Sequence, residues 1–479
     1  MTARQPDIRA RAPHPDLIPR LVAALGERNV LTAASDTAPY LVEWRDLFRG
    51  ACAAVVRPGS TAEVAEVSTL ASALGPPVVP QGGHPGAVGG QIPFDTGAIV
   101  LSLRRLDRLR RVEPASNAIV VEAGMTLAAV QQAAASIDRL FPLSLASEGS
   151  CTIGGNIGAN AGGTAVLAYG NTRDLVLGLE VVLPDGRIWD GLKTLRKDNT
   201  GYDLKNLFVG SEGTLGIVTA AALKVYPRPK AVETAMVAVE TTEAMLALFE
   251  RASNAAGRML TTFEFIPAIG IDFVVKHAAG TRAPFPERHP WIALVELSSG
   301  SEGSLRPVLE TILEGALEAG EAIDAVLAES LDQRKAFWRL REDLPDMQKP
   351  EGGSIKHDVS VPIAMLPRFL AEASDAVEAM IPGVRVCAFG HFGDGNVHFN
   401  VSQPVGMDKA AYLARWEEMN ARVHAIVTRL GGSISAEHGI GLLKRDLLPE
   451  VKSAVEMDLM RAIKRTLDPA GILNPGKVL

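Results

Sequence analysis

The spacing of apolar and polar positions changes character along this chain, and each change predicts a different kind of structure. Residues 15–50 predict one or two lead-in helices. Residues 53–57 form a short apolar run closed by Pro58-Gly59, and Ser60 or Thr61 then caps a helix reaching about residue 74. Glu63 lies in its first turn, where a carboxylate suits the positive helix end. Residues 78–79, 99–103 and 118–122 predict strands, and Thr126 caps a helix over 127–136. This alternation of strand and helix is that of an α/β arrangement. Residues 147–216 are rich in glycine and asparagine, and segments 176–183 and 188–189 predict a hairpin turning at Asp185-Gly186. A strand region at 215–226 ends at Pro227-Arg228-Pro229, a domain boundary.

Beyond that boundary the order is strand 235–239, helix 242–252, strands 260–266 and 291–297, helix 305–318 and strand 322–327. That is the β-α-β-β-α-β order of a ferredoxin-like unit. A strand at 355–361, a helix at 367–380, strands at 384–391 and 397–401, a long helix at 409–430 and a last helix ending near residue 467 follow. Residues 230–479 therefore read as one antiparallel-sheet domain covered by helices, and the whole chain as α+β.

Charge and cysteine usage narrow the class. The formal net charge of -7, with no basic stripe, excludes nucleic acid as a partner. Cys52, Cys151 and Cys387 are far apart, which argues against a disulfide framework or a thiolate metal site. No apolar run reaches the ~18 residues of a spanning helix, and the first residues lack the apolar core of a secretory signal. The expectation is a cytoplasmic protein with no integral membrane segment.

Two glycine-rich loops carry the first candidate chemistry. One runs Pro80-Gln81-Gly82-Gly83-His84-Pro85-Gly86, and the other is Gly149 to Gly163, containing Gly154-Gly155-Asn156 and Asn160. Glycine permits close approach of backbone to ligand, and free N–H groups form a nest for phosphate oxygens. Neither loop matches the Rossmann G-x-G-x-x-G or the Walker G-x-x-x-x-G-K-[ST], so a Rossmann nicotinamide site or a P-loop is not supported. The segment Gly210-Ser211-Glu212-Gly213-Thr214-Leu215-Gly216-Ile217-Val218 adds a third such element.

The second candidate chemistry is His391-Phe392-Gly393-Asp394-Gly395-Asn396-Val397-His398. If residues 393–396 form a hairpin turn, His391 lies directly opposite His398, with Cβ atoms about 4.5–5.5 Å apart. Two imidazoles so placed can reach one divalent cation at roughly 2.1 Å. Asn400 falls on the same face, and Ser435-Ala436-Glu437-His438-Gly439 can supply a carboxylate. Two histidines and a carboxylate with an open position make a catalytic set.

These loops and the histidine segment resemble the vanillyl-alcohol oxidase type of flavoenzyme, and the C-terminal half resembles its branch of D-2-hydroxyglutarate and D-lactate dehydrogenases and glycolate oxidase flavin subunits. The resemblance covers about residues 50–479. It implies a lead-in at 1–50, a two-part FAD-binding domain at 51–229, and a substrate and metal domain at 230–479 whose final helix, about 455–479, returns to the flavin domain. It implies that Pro80, Gln81, Gly82, Gly83, His84 and Gly86 hold the FAD pyrophosphate. Ser147, Gly154, Gly155, Asn156, Asn160 and Gly163 would line the flavin. Ile217 and Val218 would meet the adenine end, and Glu212 and Asn474 would complete the cofactor site. His84 raises a covalent FAD link as the alternative to non-covalent binding. The resemblance makes His391, His398 and Glu437 ligands of Zn2+ or Mn2+, and His438 the catalytic base.

The implied reaction oxidises a small 2-hydroxy acid to the 2-oxo acid, with hydride passing to flavin N5. The substrate is an anion, and the resemblance assigns Arg341 and Lys356 to hold it, with Asn400 and His438 beside them. Arg341 can grip a carboxylate through two parallel hydrogen bonds. Relatives specific for 2-hydroxyglutarate carry a hydroxyl residue four positions after that arginine, where this chain has Pro345, a residue with no donor. The implied electron acceptor is electron-transfer flavoprotein or a quinone, and a homodimer is one option. Alternatives are an oxygen-using glycolate or 2-hydroxy acid oxidase, a metal-dependent hydrolase with His438 activating water, and a non-catalytic electron-transfer flavoprotein module. The hydrolase leaves the glycine loops without a role.

Overall fold

The computed structural model describes residues 6–303 and 305–479, so the first five residues of the expected lead-in lie outside the described ones. The chain divides into two compact units. One comprises Gly163–Gly170 and Arg228–Ala436, and the other residues 6–162, Asn171–Pro227 and Glu437–Leu479. The α+β class expected from the sequence is the observed one.

The unit that contains the glycine loops is built on two sheets. In the first, Ala54–Val56, Ile99–Ser102 and Val78–Gln81 are parallel, and Val30–Leu31 adds an antiparallel edge. The helix Thr61–Leu74 follows the first of these strands; Ser60 accepts the Glu63 N–H at 3.2 Å as its N-cap, and Gly75 closes it at φ 82°. The second sheet is antiparallel and has the order Leu109–Glu113, Ala118–Glu122, Ile217–Lys224, Val176–Val182, Ile188–Gly191. Thr126 caps the helix Leu127–Ala135 through the Ala129 N–H, as the sequence predicts.

The other unit holds one seven-stranded sheet, whose strands are numbered here β1 (Ala231–Val239), β2 (Leu260–Pro267), β3 (Trp291–Ser299), β4 (Asp324–Leu327), β5 (Ser354–Ser360), β6 (Arg385–His391) and β7 (Asn396–Ser402). Their order is β4-β1-β3-β2-β6-β7-β5, and every neighbouring pair is antiparallel. The first four strands have the ferredoxin-like order, and β6, β7 and β5 extend it past β2. Thr242–Ala256, Leu305–Glu318, Leu366–Met380 and Trp416–Arg429 are amphipathic helices that bury their apolar faces.

The sequence reading gave no helix at Leu331–Glu342 or Ile153–Ala159 and no strand at Leu109–Glu113, and two further elements of the seven-stranded unit differ from it. A helix, Ala268–His277, stands between β2 and β3, where the pattern predicted only a connection. Its segment starts after Pro267 with no side-chain cap and carries Gly270 in its first turn. It forms because Ile271, Phe273 and Val274 are buried in a cluster with Leu340, Leu344 and Phe389. Tertiary burial overrides a weak start signal. The expected long helix at 409–430 is two helices, Lys409–Leu413 and Trp416–Arg429. Asp408 caps the first through the Ala411 N–H, and the Tyr412 hydroxyl donates to the Val401 carbonyl at 2.6 Å, pinning this short turn to β7. Among the described residues no helix is long and apolar enough to cross a membrane.

The connection between β6 and β7 is the tightest point of this sheet. Gly395 sits at φ 81°, and a Cβ there would stand 2.2 Å from the Val361 carbonyl oxygen. Gly395→Ala is expected to lower unfolding stability by about 2–4 kcal/mol, from a left-handed alanine and a backbone clash together. Chemical denaturation of the variant checks this, and an unchanged midpoint would contradict it.

Candidate active site

Strand periodicity decides which side chains share a face. In β2 the sequence Phe263-Glu264-Phe265 alternates, so the two rings turn one way and the carboxylate the other. Phe263 and Phe265 pack on Phe392 from the β6–β7 turn, with ring centroids 5.9 and 5.7 Å apart. Glu264, fully buried, projects to the opposite face, where His391 of β6 is its direct cross-strand partner. Phe389, His391, His398 and Asn400 share this face with Lys356 and Asp358 of β5, which are paired to Asn400 and His398.

The expected direct opposition of His391 and His398 is not observed. His398 pairs with Phe389, so the register is displaced by two residues. Phe392 is drawn into the aromatic core, and β6 leaves β7 after Phe389 to finish against β2. A displacement of two preserves the face, so the imidazoles become diagonal neighbours, with ring centroids 5.7 Å apart. His391 and His398 each offer one ligand atom, and these two atoms lie within 4.8 Å of one another. Glu437 follows directly on Ala436, whose N–H reaches the Asp358 carbonyl of β5 at 3.3 Å.

Glu264 ties this group together. Its Oε1 accepts from His391 Nδ1 at 2.5 Å, and its Oε2 accepts from Arg341 Nε at 2.7 Å. Burial alone would raise the Glu264 carboxyl, but His391 and Arg341 outweigh it and hold it below its ordinary value. Arg341, on the helix Leu331–Glu342, is buried, and its guanidinium stacks over Phe389 at 4.8 Å. Lys356 is exposed and donates to the Pro345 carbonyl at 3.4 Å. Pro345 therefore contributes an acceptor through its backbone. Asn400 Nδ2 donates to Gln348 Oε1 at 3.2 Å, and Gln348 is buried.

Sequence reasoning missed Glu264 and Gln348. A usable signal existed for Glu264, because a carboxylate inside the apolar run 260–267 must be paired when that run becomes a buried strand. Gln348 lies in an irregular, polar stretch with no such signal.

In the other unit the glycine loops meet each other. A Cβ on Gly82 would lie 2.2 Å from Thr152 Oγ1, and one on Gly83 would lie 1.7 Å from the Ser150 carbonyl oxygen. A Cβ on Gly154 would lie 2.8 Å from the Ala123 Cβ. These glycines thus bring strand end Pro80-Gln81 against the start of the helix Ile153–Ala159, which contains Gly155 and Asn156. Gln81 is spent inside the loop, donating to the Tyr40 and Gln91 carbonyls, and the Gly86 carbonyl accepts from Gln91. His84, at φ 77°, holds the Val42 carbonyl through Nε2 at 2.7 Å, and burial lowers its pKa. The Ser147 carbonyl accepts from the Ser150 and Cys151 N–H groups. Asn160 caps its helix in the left-handed region and accepts the Arg173 N–H. Ile217 and Val218 begin a buried strand. Gly163 opens the segment Gly163–Gly170 that clusters with the seven-stranded unit.

Glu212 and Asn474 organise the loop that follows Glu437. Glu212 accepts the Ile440 and Gly441 N–H groups at 2.7 and 2.8 Å, while Asn474 Nδ2 donates to the Gly90 and Glu212 carbonyls. Burial pushes the Glu212 carboxyl up to about 7, against the pull of those N–H groups and of Lys444 and Lys477. His438 lies in the same loop and is exposed.

Comparison with known proteins adds independent information. Residues 52–191 match the model of an FAD binding domain, and residues 228–478 match that of the C-terminal domain of FAD linked oxidases. The chain is 38% identical to D-2-hydroxyglutarate dehydrogenase of Xanthomonas citri pv. viticola, covering 93% of each chain. It is 38% identical to the mitochondrial D-2-hydroxyglutarate dehydrogenase of Rattus norvegicus, over 91% of this chain and 80% of that one. It is 32% identical to a D-2-hydroxyglutarate–pyruvate transhydrogenase of Saccharomyces cerevisiae, over 93% and 90%. Among solved structures, alkyldihydroxyacetonephosphate synthase superposes with a TM-score of 0.75 at 18% identity, covering 99% of this chain and 87% of that one. p-Cresol methylhydroxylase gives 0.75 at 16%, covering 97% and 96%. These neighbours show the fold, which is that of the vanillyl-alcohol oxidase type expected from the sequence.

The Glu212 environment predicts a pH dependence. In the folded chain its carboxyl keeps its proton up to about 7, against an ordinary value of 4.5. The folded state therefore binds more protons within that window, and Glu212's contribution to stability is full below it and lost as pH rises through about 7. Glu212→Gln mimics the protonated form and is expected to flatten the decline in unfolding stability between about pH 5 and pH 8. Urea titrations at several pH values check this; an equal decline in both proteins would contradict it.

Proposed function

The chain belongs to the FAD-linked oxidase family, and from that premise we propose that it dehydrogenates the C2 hydroxyl of a D-2-hydroxy acid, D-2-hydroxyglutarate first among candidates, in a metal-assisted site. The observation that carries this reading is the paired imidazoles of His391 and His398 beside Arg341, all organised on one sheet face around Glu264. The names of the relatives support the substrate class.

The unit with the glycine loops fits FAD. His84 Nδ1, Thr152 Oγ1, Asn156 Nδ2 and Asn474 Oδ1 are buried polar atoms with no partner within the protein, a state that calls for a polar ligand. Non-covalent binding is the proposed form; the open Nδ1 of His84 is the atom a covalent link would use. In the proposed division of labour residues 51–229 hold the cofactor and residues 230–479 hold substrate and metal, with the last helix returning to the flavin. Pro80, Gly82, Gly83, Gly86, Ser147, Gly155, Asn160, Gly163, Ile217 and Val218 keep the cofactor roles that the sequence suggests.

His391, His398 and Glu437 fit Zn2+ or Mn2+ as a two-imidazole, one-carboxylate set. Such a cation supplies Lewis acidity that lowers the pKa of a hydroxyl it binds. FAD, where bound, would supply the acceptor for the hydride leaving C2. Arg341 gives Nε to Glu264 and keeps its two Nη groups for the C1 carboxylate. His438 accepts the hydroxyl proton at a ring nitrogen, a task suited to an imidazole. The substrate loses one hydride and one proton, and the product is the 2-oxo acid. Lys356, with Asn400 opposite it and Gln348 bonded to Asn400, faces the remainder of the substrate; a second carboxylate there would be met by the Lys356 ammonium, without the hydroxyl that Pro345 replaces. Electrons then pass to electron-transfer flavoprotein or a quinone. Three free cysteines fit a reducing, cytoplasmic setting.

Anaerobic titration of the yellow protein with a panel of D- and L-2-hydroxy acids tests the reading. D-2-hydroxyglutarate is expected to bleach the flavin at least about 100-fold faster than its L antipode, the scale expected when polar groups must find their partners. D-lactate and glycolate, which lack a distal carboxylate, are expected to be slower. A panel in which no hydroxy acid bleaches the flavin with metal present would sink the proposal.

A further inference from the structure

Glu264 has contacts that no role assigned so far explains. It is fully buried in the middle of the sheet, and both of its oxygens are occupied by groups from different elements. One donor is a proposed metal ligand on β6; the other is the proposed substrate arginine on the helix Leu331–Glu342. The side chain has little freedom to turn, because its strand neighbours Phe263 and Phe265 are locked in the aromatic core on the other face.

We infer that Glu264 is a positioning residue that fixes two groups with one carboxylate: it determines which nitrogen of His391 faces a divalent cation and which edge of Arg341 faces the substrate. The inference rests on the metal-assisted function proposed above. A carboxylate accepts and does not donate, so its contact with Nδ1 places the His391 proton there and leaves the Nε2 lone pair for the cation. A carboxylate behind a ligating histidine also raises the ligand's basicity. On the other side, capture of Arg341 Nε, together with the Phe389 ring under the guanidinium, sets the plane of the fork and directs Nη1 and Nη2 away from Glu264. Metal affinity and carboxylate binding thus share one anchor.

Glu264→Gln is nearly isosteric but has a single acceptor oxygen. Its amide N–H must face either Arg341, which cannot accept, or His391 Nδ1, which then loses its proton to Nε2 and with it the ligating lone pair. Zn2+ affinity of the FAD-loaded protein without substrate, measured by competition with a fluorescent chelator, is expected to fall about 10–100-fold. The KM for the hydroxy acid is expected to rise in parallel. Glu264→Asp keeps the charge but cannot reach both donors, and is expected to lose at least about tenfold in Zn2+ affinity. Glu296→Gln is the control. Glu296 is also buried on a strand and paired with an arginine of the same helix, Arg334, but it lies outside the proposed site. Its substitution is expected to lower the melting temperature while leaving Zn2+ affinity unchanged. If the wild type binds Zn2+ and both Glu264 variants bind it within twofold as tightly, the inference about Glu264 is overturned and the proposed function stands. If the wild type itself takes up no Zn2+ or Mn2+, the metal half of the proposed function falls, and this inference falls with it.

Discussion

A carboxylate buried in the centre of a β-sheet is tolerable only when opposite charge and hydrogen bonds surround it, and Glu264 imposes that condition on the whole seven-stranded unit. An unpaired buried charge costs several kcal/mol, and removing one partner of a buried pair costs about 3–5 kcal/mol. Arg341 and His391 must therefore be where they are for this sheet to fold as it does. The helix that carries Arg341 is held over this face by Leu340, which joins Leu344 and the Ala268–His277 helix in one apolar cluster. The strand that carries His391 must finish against β2 rather than β7. Stability and the proposed chemistry draw on the same contacts, and a purely structural carboxylate would be expected to be replaceable by well-packed apolar residues.

The glycine loops follow a different logic. Their glycines are required first by packing, since side chains at 82 and 83 would collide with Thr152 and the Ser150 carbonyl. That close approach leaves buried polar atoms on His84, Thr152, Asn156 and Asn474 with no protein partner. Such atoms beside glycine-rich backbone fit the surroundings of a polar cofactor. Glu212, which the sequence suggested as a cofactor contact, is used here to clamp the backbone at Ile440 and Gly441. Through that clamp it shapes the loop bearing His438.

Much of this was legible in the sequence. Caps at Ser60 and Thr126 and the strand order after residue 230 follow from local rules, and the observed elements agree with them. The shared face of His391, His398 and Asn400 was legible because side-chain direction depends only on parity. Their register was not, because it is set by where Phe392 packs, a contact distant in sequence. The helix Ala268–His277 was hidden for the same reason, its stability coming from residues at 340, 344 and 389. Glu264 was hidden by its own pattern: in a run read for apolar periodicity one charge looks like an interruption. The backbone carbonyl of Pro345 as a partner for Lys356 has no signature in residue type at all.

The most direct test of the account is a single-turnover experiment on protein stripped of divalent cations but retaining its flavin. Mixed anaerobically with D-2-hydroxyglutarate, this protein is predicted to keep its oxidised flavin spectrum, and to bleach promptly when Zn2+ or Mn2+ is returned. Bleaching at an undiminished rate in the stripped protein would contradict the account, because the grouping of His391, His398 and Glu437 would then have no part in the reaction.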